Sequence, residues 1–122
     1  MTFRNTLTAI VLASGTLVAA SDSALAHAAL LKSDPAPSST VAAPKEIKLT
    51  FSEKLTPAFS GFQLSMDDGM TMKVTTKLSE DGTTLIGTPT GSFMTGAYKI
   101  SWHATSSDDG HRTEGSLMFK VK

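Results

Sequence analysis

From residue 27 onward, apolar and polar side chains alternate with period two, the pattern of strands that bury one face and solvate the other. Ile47, Leu49 and Phe51 alternate with Lys48, Thr50 and Ser52, and Phe62, Leu64 and Met66 alternate with Gln63 and Ser65. Met70, Met72 and Val74 alternate with Thr71, Lys73 and Thr75; Tyr98, Ile100, Trp102 and Ala104 alternate with Lys99, Ser101, His103 and Thr105. A last strand turns Leu117, Phe119 and Val121 inward. No long stretch has a 3.6-residue period. Turn signals separate the runs: Asp34-Pro35-Ala36-Pro37, Asp68-Gly69, Asp81-Gly82, Gly91 with Gly96, and Asp109-Gly110. About seven short strands with a turn every ten residues or so predict an all-β domain, a Greek-key sandwich or small barrel. Ser52–Ser60, with Pro57 inside it, is the least regular stretch and reads as a connecting loop.

The first 26 residues have a different pattern. Arg4 precedes a run rich in Leu, Ile, Val and Ala, and the run ends in Ala24-Leu25-Ala26. That order is the pattern of a secretory signal peptide, with cleavage expected after Ala26. Thr6, Thr8, Ser14, Gly15 and Thr16 make the run too short and polar for a spanning helix, and no later segment approaches the roughly 20 apolar residues a span needs. The expected mature chain, 27–122, is therefore one exported domain without a membrane span.

The mature part carries as many cations as anions, since the leader takes one of each (Arg4 and Asp22) from the 11 Lys+Arg and 11 Asp+Glu of the whole chain. A nucleic-acid footprint, which needs a basic patch, is not expected. The chain has no cysteine, so thiolate zinc sites, iron–sulfur clusters and thiol redox chemistry are excluded. Any metal would have to be held by His, carboxylate, Met or the terminal amine.

There are three histidines, His27, His103 and His111. Cleavage after Ala26 would give His27 a free α-amine beside its imidazole, two nitrogens that close a chelate ring on a metal. The amine binds a proton with an ordinary pKa near 7.7–8.0, so metal affinity would fall with pH. Asp109-Gly110-His111 lies between the Trp102 and Leu117 strands; alone it reads first as a common hairpin turn. Joined to the His27 chelate, its carboxylate and imidazole make a nitrogen-and-oxygen set suited to tetragonal Cu(II), with nickel or zinc as weaker competitors. His103 is out of phase with Trp102 and should face away from the core.

The chain resembles the CopC/PcoC family of periplasmic copper-binding proteins across essentially its whole mature length. The resemblance rests on His27 directly after the leader, Ser33-Asp34-Pro35-Ala36, Leu49-Thr50-Phe51-Ser52-Glu53, Trp102, and Ser107-Asp108-Asp109-Gly110-His111 with Gly115 and Phe119 beyond. It implies a seven-stranded Greek-key sandwich of immunoglobulin-like, cupredoxin-like appearance, without catalytic activity, that binds Cu(II) through His27, Asp109 and His111. Glu53 matches an acidic residue that lies near the copper in this family; read alone it is equally a solvated strand-end Glu. Asp108 reads as turn chemistry. Some members also bind Cu(I) in a methionine-rich loop, and Met66, Met70 and Met72 fall in that region. Thioethers suit Cu(I), but the loop is a plain Asp67-Asp68-Gly69 turn and alternation accounts for all three as core, the favoured reading; Met94 and Met118 read as packing and surface.

The leading reading is thus a periplasmic copper carrier or buffer for resistance or uptake. A CopD-type inner-membrane transporter and periplasmic copper oxidases are the partners that the family context implies. A histidine-brace enzyme that cleaves polysaccharide is the alternative, set against the inward Trp102 and Tyr98, which leave no aromatic platform for a sugar. A metal-free interaction module is the third.

Overall fold

The computed structural model describes residues 27–122, and the expected leader, 1–26, lies outside them. Nine strands follow in order: β1 Leu30–Asp34, β2 Thr40–Val41, β3 Ile47–Phe51, β4 Gly61–Met66, β5 Thr71–Met72, β6 Val74–Leu78, β7 Thr84–Pro89, β8 Gly96–Thr105 and β9 Arg112–Val121. Seven have five residues or more; β2 and β5 are two-residue additions to a sheet edge. They form two sheets, ordered β1-β3-β7-β6 and β2-β9-β8-β4-β5. Neighbours pair antiparallel, except β2, which runs parallel to β9. The expected all-β sandwich is the observed one.

The alternating positions make the core between the sheets. Ile47, Leu49, Phe51 and Leu85 from the four-stranded sheet meet Phe62, Leu64, Tyr98, Ile100, Leu117, Phe119 and Val121 from the other, all buried. Each such large side chain contributes roughly 1.5–3 kcal/mol by leaving water. Tyr98 stacks on Phe119 with centroids 5.6 Å apart, and Phe93 meets its ring edge-on at 5.0 Å. Its hydroxyl donates to Met94 O and accepts from Met94 N–H, both at 2.8 Å, which ties the β7–β8 connection to the core.

Two expectations need correction. Met70, Met72 and Val74 do not share one strand: the chain breaks at Lys73, so that β5 pairs with β4 in one sheet and β6 with β7 in the other. Met72 is buried, but Met70 is exposed because its backbone closes the Asp68-Gly69 turn, donating to Asp68 Oδ1 at 2.9 Å and accepting from Met66 N at 2.8 Å. Met94, expected to pack, is 69% exposed; Tyr98 holds both its backbone groups, and the side chain projects outward.

Three chain segments meet at one end of the sandwich. These are the stub before β1, the β3–β4 connection, which contains a single 3-10 turn at Pro57–Phe59, and the β8–β9 loop.

Candidate metal centre

The β8–β9 loop is fastened before its side chains are considered. Ser106, fully buried, donates its N–H to His111 O at 3.0 Å and accepts from Gly110 N at 2.9 Å. Gly110 has φ +70°, a conformation that glycine adopts without the Cβ penalty, and this lets the chain turn back after Asp109. The β3–β4 connection straps the loop from the side through a Leu55–Ser106 bridge, Thr56 N to Thr105 O at 2.8 Å and Ser107 N to Lys54 O at 2.9 Å. The loop therefore offers Asp109 and His111 from a braced backbone.

The chain brings His27 to this loop. The imidazoles of His27 and His111 lie with centroids 3.7 Å apart, their planes at 45°. At that spacing the rings touch, so an ion between them requires both to turn about their side-chain bonds. His27 Nδ1 is buried and has no hydrogen-bond partner. A buried polar atom without a partner is costly, and Nδ1 is the imidazole nitrogen that can close a small chelate ring with the residue's own amine.

Asp109 precedes His111 by two residues on the same loop. Its Oδ1 accepts the His111 N–H at 2.9 Å. That bond, then the Ser106 hydroxyl and the positive charge that His111 and His27 can carry, hold its carboxyl below the ordinary carboxylate value. It is thus an anion at neutral pH. In this arrangement the carboxylate serves its own turn, and among the described residues no three His, Asp or Glu side chains already converge as a metal cage. A set completed by a terminal amine would not appear in such a cluster. Glu53, next to Ser52 at the end of β3, has a buried Oε2 without a partner, an acceptor with unused capacity of the kind an adjacent cation or its ligands would satisfy.

The other candidates lie elsewhere. His103 faces the opposite side of β8 from the core; its cross-strand neighbours are Gly61 and Glu114, and a Cβ on Gly61 would touch its ring at 3.6 Å. Burial first, then Arg112, lower its pKa, and Glu114 opposes them. Of the methionines, Met72 is buried over Gly91, Met70 is exposed, and Met66 lines a shallow cavity of about 200 Å³ with Asp67, Asp68 and Met94. The three methionines thus differ in exposure, and Met94, distant in sequence, joins Met66 in lining that cavity.

The CopC domain family model matches residues 30–122, so His27 lies just ahead of the matched span. The chain is 42% identical to Copper resistance protein C of Xanthomonas campestris pv. juglandis, over 98% of both chains. It is also similar to the crystal structure of PcoC, a methionine-rich copper resistance protein from Escherichia coli, with a TM-score of 0.72 and 36% identity over 79% of this chain and 99% of that one. CopC from Methylosinus trichosporium OB3b superposes with a TM-score of 0.73 at 28% identity, covering 79% and 94%.

Proposed function

The chain belongs to the CopC family, and on that premise we propose that its processed form is a periplasmic copper carrier or buffer that holds Cu(II) as cargo. The amine and Nδ1 of His27 supply the chelate, His111 a third nitrogen and Asp109 an oxygen. Glu53 offsets the charge or orients a ligand. The observation that carries this reading is the contact of the His27 and His111 rings, 3.7 Å apart, with His27 Nδ1 buried and unpartnered.

Copper suits these donors because nitrogen-rich sets with one carboxylate favour tetragonal Cu(II), which heads the divalent affinity order. Export to the periplasm follows from the leader pattern, and among the described residues no helix is long and apolar enough to cross a membrane. A carrier without a catalytic step is supported by the aromatic side chains: Tyr98 is buried and Trp102 turns edge-on to Phe51 at 5.1 Å, so neither forms a platform for a polymer.

The test is a Cu(II) competition titration of the chain beginning at His27. His111→Ala should lose most of the affinity, Asp109→Ala should weaken it by less, and His103→Ala should leave it unchanged. Equal affinity in His111→Ala and the parent would sink the assignment.

A further inference from the structure

The three residues that begin the processed chain are held more firmly than a chain end needs to be. A free terminus ordinarily frays unless something ties it down. Here Ala28 is 1% exposed and its methyl joins the core. Thr113, on β9 two residues beyond His111, donates its hydroxyl to Ala28 O at 2.7 Å, with Ala104 O a longer alternative at 3.4 Å. Ser52, immediately before Glu53, takes Ala29 from both sides: its Oγ accepts the Ala29 N–H at 2.9 Å and its own N–H donates to Ala29 O at 2.9 Å. The Ser52 hydroxyl hydrogen is then free to reach His27 O at 3.5 Å.

We propose that Ser52 and Thr113 are positioning residues for copper, a clamp that docks His27-Ala28-Ala29 against the sandwich and presents the His27 amine and imidazole to His111 before the ion arrives. The inference rests on the Cu(II) reading above and extends it to residues that never touch the metal. A terminus docked only a fraction of the time binds with an affinity reduced by that fraction. One that is already docked avoids the ordering cost at the moment of binding. Ala28 adds a size limit, because its methyl fills a core position and a larger side chain there would lift His27 away from His111.

The test uses the chain beginning at His27 with Ser52→Ala, Thr113→Val, the two together, and Thr113→Ser, which keeps the hydroxyl. Two readouts are taken: backbone amide order of Ala28 and Ala29 by NMR relaxation without copper, and Cu(II) affinity by competition. Each single hydroxyl loss should loosen the Ala29 amide and lower affinity about threefold to tenfold, the range one hydrogen bond spans. The double variant should lose more, and Thr113→Ser should recover most of the order and the affinity. The electron paramagnetic resonance spectrum at saturation should keep the parent's parameters in every variant, since the ligands are unchanged. Parent-like affinity in both singles overturns the clamp, as does an affinity loss with no loosening of Ala29. Failure of the copper reading would look different: His111→Ala would bind like the parent, while the amide order of the copper-free variants would still report on the clamp.

Discussion

Replacing Gly87 with alanine tests how the two sheets set their spacing. Gly87 faces inward on β7, and a Cβ built there would lie 2.1 Å from Phe62 Cζ, 2.7 Å from Phe62 Cε1 and 2.7 Å from Val74 Cγ1. Carbon atoms in good contact sit about 3.5–4.0 Å apart, so the Phe62 ring would have to retreat by roughly 1.4 Å or more. Phe62 is buried on the opposing sheet and has little room to retreat. Overpacking of this kind costs about 1–3 kcal/mol, and the shortness of the contact places Gly87→Ala at the upper end. A loss of about 3 kcal/mol lowers Tm by roughly 12–24 °C in a domain of this size. Urea unfolding followed by circular dichroism gives the stability directly. The double variant Gly87→Ala/Phe62→Leu, which removes the ring tip, should show a favourable coupling of about 1 kcal/mol or more. A single variant within about 0.5 kcal/mol of the parent, or a double variant with no coupling, would show that Gly87 does not set the spacing of the sheets.

Other expectations follow from the same geometry. Gly115→Ala brings a Cβ within 2.5 Å of Trp102 Cζ2, but Trp102 is only half-buried where Phe62 is buried, so the cost should be about 1 kcal/mol and below that of Gly87→Ala; a larger loss for Gly115→Ala would contradict this ranking. Tyr98→Phe removes the hydroxyl that serves both backbone groups of Met94 and should cost about 1–2 kcal/mol in denaturant unfolding; no loss would mean that the hydroxyl does not tie the loop. His103 has a folded pKa below its ordinary 6.5, from burial first and Arg112 second, so its contribution is complete above pH 6.5 and is lost as pH falls through the lower folded value. His103→Gln should flatten that acid-side decline in unfolding curves taken on either side of pH 6.5; an unaltered decline assigns it to other groups.

Much of the fold was legible because its inward positions carry large apolar side chains in strict alternation, as in β3, β4, β8 and the second half of β9. β7 was not, because its inward Gly87 has no side chain to mark the phase and its outward Ile86 blurs it. The first half of β9 was hidden for the same reason: Thr113 and Gly115 stand where alternation looks for apolar bulk. Met70 misled because a two-residue period continued through a turn that reverses the chain.

The candidate site was legible in its chemistry and not in its support. His27 and His111 stood out because nitrogen donors are scarce in this chain. The clamp could not be read, since Ser52 and Thr113 are ordinary strand hydroxyls until the fold brings them to partners 23 and 85 residues away. That Met94 and Met66 line one cavity is visible only in the fold.

In the proposed site His27 binds copper through an amine that exists only at a chain terminus. The most direct measurement compares the chain beginning at His27 with one carrying a single extra residue before it, by Cu(II) competition titration and electron paramagnetic resonance. The added residue should weaken binding by at least about tenfold and change the spectrum, because the amine nitrogen leaves the ligand set. Unchanged affinity with an unchanged spectrum would contradict it.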